Sequence, residues 1–221
     1  MSDLTPETPD TPIATPENDT IDQSRRKLTG AALGVSAIFT LASRPVLAAN
    51  QCMTPSGAVS GNLSQHGTPT TCTGRTPGFW KTHPAEWPSP YLPGSCSAGN
   101  ACNQVQNWSG GTLFHPLFSG TQFLADIDGN PSTPKTSLSM MQVIMMNNGS
   151  NPWGLADPDN LGSHIAAALL NARAGLTPVL SETDVISMWN EWVSKGYFEP
   201  TANVKWNSAQ IVTYLKTTMP I

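Results

Sequence analysis

Charge is scarce in this sequence: Asp, Glu, Lys and Arg make up only 12% of the residues, and the formal net charge is −4. No cluster of Lys and Arg builds the basic patch that phosphate binding requires, which excludes nucleic acid as an expected partner. Long hydrophobic runs are missing as well. The most apolar stretch, Ala31 to Ala42, is about a dozen residues, well short of the roughly twenty that carry a helix across a bilayer, so no permanent membrane anchor is expected. The 4 cysteines include no Cys-x-x-Cys pair, which removes the close-set ligands typical of structural zinc. Gly-x-Ser-x-Gly, His-Glu-x-x-His and a phosphate-binding loop are absent too. No catalytic constellation stands out, and a non-enzymatic role is the expectation.

What is there begins with an export signal. Residues 1–23 are polar and acidic, with Thr-Pro repeated at Thr5-Pro6, Thr8-Pro9, Thr11-Pro12 and Thr15-Pro16. That composition buries too little apolar surface to offset chain entropy and reads as a disordered leader. Residues 24–49 follow with Arg25-Arg26, the short apolar stretch, Arg44-Pro45 and small residues at Ala48-Ala49. The order of these features resembles a bacterial twin-arginine signal peptide, which implies the twin-arginine translocase as a transient partner and a periplasmic or extracellular destination.

Cys52, Cys72, Cys96 and Cys102 all lie beyond that signal. An even number in an oxidising compartment points to two disulfides, and among the three possible connectivities nearest-neighbour closure pairs Cys52 with Cys72 and Cys96 with Cys102. Residues 50–71 read as a flexible, Cys-containing lead-in, and 72–221 as a single mature domain. Up to Trp108 the chain is rich in Gly, Ser, Thr, Pro and Asn without period, so a turn-rich, disulfide-stapled segment is expected.

The remainder carries helical periodicity. One helix is expected from Thr136-Ser137 to Met146, with Leu138, Met141, Ile144 and Met145 on one stripe. A second starts at a cap on Asp159 or Asn160, carries Leu161, His164, Ile165, Ala168, Leu169 and Ala172, and stops before Gly175. Ser181-Glu182-Thr183-Asp184 opens a third, which runs through Val185, Met188, Trp189 and Trp192 to Gly196. Asn207 or Ser208 caps a fourth with Ile211, Val212 and Leu215. The fold class expected is therefore mainly α: a compact helical domain with the stapled N-terminal segment wrapped on it.

Two segments, Thr76-Pro77-Gly78-Phe79-Trp80-Lys81-Thr82-His83-Pro84 and His164-Ile165-Ala166-Ala167-Ala168-Leu169-Leu170-Asn171, together resemble a domain of secreted and surface proteins of bacteria. That family pairs a Cys-Thr-Pro-Gly-Tyr-Trp-Lys-x-His opening with a His-x-x-Ala-Ala-Leu-Leu-Asn-Ala helix. The resemblance implies location and fold rather than an activity. This chain departs from the pattern by placing Arg75 before Thr76-Pro77, with Cys72 displaced upstream.

Several residues are candidates for binding. Trp80, Trp87 and Trp108, out of 7 tryptophans, fall in the turn-rich part, where aromatic faces could meet a sugar ring or another subunit, against the alternative that large rings form the core of an irregular segment with few aliphatics. His83 and His164 are the histidines that could share a metal, and Met140, Met141, Met145 and Met146 could offer thioethers to copper, against the alternative of core packing. Asp126 and Asp128, in Asp126-Ile127-Asp128-Gly129-Asn130, have the alternating oxygens of a calcium loop but lack its closing Glu, and an Asp-Gly turn is the alternative. No cofactor is assigned, with calcium and copper the options. The leading expectation is an extracytoplasmic interaction or structural module of the bacterial cell surface or matrix, contacting protein or glycan or a second copy of itself. A metal-dependent periplasmic enzyme or metal carrier, and a glycan-binding module, are the competing readings.

Overall fold

A computed structural model describes residues 52–60, 70–97, 102–120, 137–146 and 157–220. The segments holding Arg25, Arg26, Asp126 and Asp128 lie outside the described residues. The described elements, in chain order, are helices α1 (Pro55–Ser60) and α2 (Pro77–Thr82), strands β1 (Ser95–Cys96) and β2 (Trp108–Ser109), and helices α3 (Met140–Met145), α4 (Leu161–Arg173) and α5 (Glu182–Lys195). Strands β3 (Phe198–Thr201) and β4 (Val204–Trp206) and helix α6 (Ser208–Thr217) complete the order. The protein is mainly helical and carries two disulfides.

Helix α4 is the centre. It packs against α2, α3, α5 and α6, and Leu161 to Asn171 are buried on every side except at half-exposed His164. A helix that is apolar all round must be enclosed, and the run Ile165-Ala166-Ala167-Ala168-Leu169-Leu170 meets that condition. Its alanines let neighbouring helices approach, while the larger Met140, Met141, Trp189, Ile211 and Leu215 fill the space between.

The helix boundaries follow local hydrogen bonding. At the start of α5, Ser181 Oγ accepts from the Asp184 amide and the Asp184 carboxylate accepts from the Ser181 amide, while Gly196 closes the helix at φ 79°. Asn207 and Gln210 form the same reciprocal pair at α6. Both are capping boxes that satisfy the free amides of a first turn. Helix α3 starts later than the expected Thr136-Ser137. Leu138 accepts from the Phe114 amide and Leu113 bridges Ser139, so these residues stay extended and the cap falls on Ser139, paired with Gln142.

The described part of the lead-in is docked on the helical core. Cys52 is bonded to Cys72, its amide donates to Thr70, the Tyr214 hydroxyl donates to the Met53 carbonyl, and α1 packs on β3. Nor does the segment before Trp108 merely wrap the bundle. Trp80, Trp87 and Trp108 belong to the same core cluster as the helices.

The cysteines pair as nearest neighbours, Cys52 with Cys72 and Cys96 with Cys102. Cys52 and Cys72 are 3% and 0% exposed, whereas Cys96 and Cys102 are half-buried. Thiol–disulfide exchange requires access to sulfur. Titration of the native protein with a small phosphine, followed by alkylation and peptide mapping, should label Cys96 and Cys102 first; earlier labelling of Cys52 and Cys72 would contradict this packing.

Candidate functional site

The segment from Cys72 to Trp87 is laid along the C-terminal half of α4, and one side chain holds it there. Asn171 is fully buried at the end of the apolar run. Its Oδ1 accepts from the Arg75 amide at 2.8 Å and from the Trp80 indole N–H at 3.1 Å, and its Nδ2 donates to the Arg75 carbonyl at 2.8 Å. A buried amide left unpaired would cost several kcal/mol, roughly 1–3 for each group, so docking of residues 75–80 is obligatory once α4 is enclosed. The two sequence signatures thus meet in space through Trp80 and Asn171.

Local chemistry sets up that contact. Thr76 caps α2 through its hydroxyl, which accepts from the Phe79 amide, and Pro77 occupies the first helical position. One short helix then turns Trp80 inward and leaves Phe79 half-exposed. The Trp87 indole donates to the Trp80 carbonyl at 3.0 Å, fastening the following 3-10 turn. Upstream, the Thr73 amide donates to Leu176 and the Gly74 amide to Thr218. A Cβ at Gly74 would stand 2.3 Å from the Thr218 carbonyl oxygen, a distance that admits no side chain.

The outward side of the segment is an aromatic stack. The His83 ring lies 4.1 Å from the Phe79 centroid and within 9° of parallel, and the Arg75 guanidinium carbon lies 4.6 Å from the same centroid. His83 Nδ1 is 3.0 Å from the Phe79 carbonyl and 2.9 Å from the Thr82 hydroxyl. With Nδ1 committed to the main chain, Nε2 is the nitrogen left to solvent.

The tryptophans require a correction. Trp80, Trp87 and Trp108 are 2%, 8% and 5% exposed. Their indole N–H groups are used internally, Trp108 donating to the Cys102 carbonyl at 3.0 Å. They are interior rings, not faces offered to a partner, because this segment has few aliphatic side chains and fills its core with large rings.

Met140, Met141, Met145 and Met146 are likewise buried in the core. His164 is half-buried on the first turn of α4, its Nδ1 is 2.8 Å from the Asn160 carbonyl, and burial lowers its pKa. Among the described residues no three His, Cys, Asp or Glu side chains come together as a metal site; Asp126 and Asp128 lie outside them.

A second polar node sits at the other end of α4. Asp157, 1% exposed, accepts from the amides of Gly162 at 2.7 Å and Ser163 at 3.1 Å. The cap expected from Asp159 or Asn160 therefore comes from Asp157, because Asp159 and Asn160 both adopt left-handed backbone, φ 55° and 59°. Asp159 instead accepts from Ser208 at the start of α6, and the Ser163 hydroxyl donates to Ile144 in α3. Burial pushes the Asp157 carboxyl up to about 7, against the pull of its two amide donors.

A third network joins the loop before β1 to α4 and α5. Tyr91 donates to Glu182 at 2.5 Å, Arg173 pairs with Glu182 at 3.2 Å, and Arg173 Nε donates to the Ser89 carbonyl at 2.6 Å. Burial, then Glu182, raises the Tyr91 pKa and keeps the phenol protonated. Neither a family model, nor a curated protein, nor a solved structure matches the chain.

Asn171→Ala should destabilise the fold by about 3 kcal/mol in denaturant unfolding, since it strands two donors and one carbonyl. Asn171→Asp keeps the acceptor and should fall between the variant and the wild type.

The raised Asp157 pKa fixes the sign of a pH effect. The native carboxyl holds its proton between pH 3.8 and about 7, where the unfolded chain releases it, so this group's contribution to stability falls as pH rises through that window. The loss is on the order of 4 kcal/mol. Unfolding free energies measured across the window should show that decline in wild type and a flatter profile in Asp157→Asn; equal slopes would refute the assignment.

Proposed function

We propose that the chain is an extracytoplasmic, non-enzymatic contact module of the bacterial cell surface, exported through a twin-arginine signal. In this reading it is a mainly helical domain with a disulfide-stapled, turn-rich N-terminal segment. Its likeness to the bacterial surface-domain family, with the signatures around Trp80 and Asn171, supports that placement. So does the oxidation of all four cysteines, which suits an oxidising compartment. Among the described residues no helix is long and apolar enough to cross a membrane.

The observation that carries the reading is the division of labour within the signature segment. Trp80, Trp87 and the Arg75 main chain face α4 and are held by Asn171 and one another. Phe79, His83 and the Arg75 side chain form a stack that is open to solvent in part. A partly exposed side-chain stack on a rigid main chain is the kind of anchor that binds with little ordering cost. The contact surface therefore moves from the tryptophans to Arg75, Phe79 and His83.

The test uses the mature protein with Phe79→Ala and His83→Ala, and Trp80→Ala as an interior control. Co-sedimentation with isolated cell envelopes and sedimentation velocity report contact; thermal unfolding reports the fold. Both variants should lose at least about tenfold in retention or self-association; His83→Ala should leave unfolding nearly unchanged, and Phe79→Ala, which also packs on the core, should lower stability less than Trp80→Ala. Trp80→Ala should lose about 3–5 kcal/mol of stability. A wild-type protein that stays monomeric and free of envelopes would overturn the contact reading.

A further inference from the structure

The geometry points to a carboxylate-recognition site at Arg75, fitted to an acidic peptide segment of a protein partner. This rests on the contact reading above and specifies the partner's chemistry.

Arg75 differs from the other described cations in how it is held. Its main chain is gripped on both sides by one side chain, the amide by Asn171 Oδ1 and the carbonyl by Asn171 Nδ2, each at 2.8 Å. Its guanidinium is placed against Phe79 at 4.6 Å. Backbone and side chain are thus both positioned, yet among the described residues no acceptor takes a hydrogen bond from the guanidinium and no acid pairs with it. Arg173 shows the contrast: its Nε and Nη1 are spent on Ser89 and Glu182. Lys195 is paired with Glu191, and Lys205 lies over Tyr197. In a chain with few cations, a fixed arginine with unspent donors stands on the same short segment as Lys81, which has no ion pair among the described residues.

The chemistry suits an oxyanion that presents two oxygens side by side. A guanidinium offers a rigid fork that takes a carboxylate through two parallel N–H···O bonds. Stacking on an aromatic ring restrains that fork before the ligand arrives, which reduces the ordering cost of binding. His83 adds an outward Nε2 beside the same ring.

The stack also disfavours a sugar. Carbohydrate rings dock against an open aromatic face, but the Phe79 ring already has His83 lying nearly parallel at 4.1 Å and Arg75 at 4.6 Å. The arginine fork is the open chemistry here. An Asp- or Glu-bearing peptide supplies its carboxylates on flexible side chains and needs no ring contact.

The experiment measures binding of a fluorescent oligoglutamate peptide to the mature, disulfide-intact protein at low salt, beside polygalacturonate, a carboxylate polymer built of sugar. Wild type should bind the peptide. Arg75→Ala should weaken it about thirtyfold and Arg75→Lys about tenfold, because Lys keeps the charge but loses the fork. Added salt should weaken wild-type binding more than that of Arg75→Ala. Unfolding of Arg75→Ala should stay close to wild type, since Asn171 grips the main chain and not the side chain. Equal peptide affinity in wild type and Arg75→Ala, absence of wild-type binding, or a preference for polygalacturonate would each overturn the proposal. Envelope retention separates the two levels: retention lost in Phe79→Ala but intact in Arg75→Ala sinks the carboxylate site alone, whereas a wild type that is never retained sinks the contact reading.

Discussion

The side-chain amide of Asn171 is the interaction on which the rest of the arrangement depends. It sits at the end of a helix whose other buried positions are almost all apolar, where water cannot satisfy it. Its three hydrogen bonds to Arg75 and Trp80 therefore decide where the signature segment lies. Hydrophobic burial supplies most of the driving force for closing the core but is indifferent to register, whereas a buried amide accepts only one alignment. With that alignment fixed, Thr73 and Gly74 reach Leu176 and Thr218, and Cys72 is set beneath the lead-in to meet Cys52.

The opposite end of the same helix is managed by a different chemistry. Asp157 covers two amides of the first turn from a buried position, and the residues after it reach outward to α6 and α3 through Asp159–Ser208 and Ser163–Ile144. A neutral amide at one end and a titratable carboxyl at the other hold one apolar rod. The Asp157 carboxyl can exchange a proton, whereas the Asn171 amide has none to lose in the same range, so the two ends of the helix are capped by groups of different kind.

Much of the helical part was legible in the sequence because its signals are local. Ser181 with Asp184, Asn207 with Gln210 and the stop at Gly196 involve residues within one turn, and spacing alone reveals them. The pairing of cysteines was legible for a similar reason, sequence proximity. Three features were not. The start of α3 is decided by pairing with Thr112 to Phe114, a contact between segments with no periodic trace. The cap from Asp157 depends on two successive left-handed residues, a conformation that Asp and Asn permit but do not announce. For Trp80, Trp87 and Trp108 the polar, irregular surroundings leave core and contact surface both open; their burial depends on α4 and α3 lying across them. Asn171 itself had a signal, a lone amide closing an apolar run, whose partner only the folded chain identifies.

The close approach of Gly74 to Thr218 has a bearing on synthesis. The peptide group at Thr218 receives the Gly74 amide at 3.1 Å, in a contact too tight for any side chain at residue 74. Translation runs from one partner to the other through nearly the whole helical part, so the segment that opens the domain waits for one of the last residues described here before its backbone is satisfied. A nascent chain halted before Thr218 leaves that amide without its partner and the bed beneath Cys72 unfinished. Closure of this seam therefore follows synthesis of both its sides: it forms only after the ribosome has delivered Thr218.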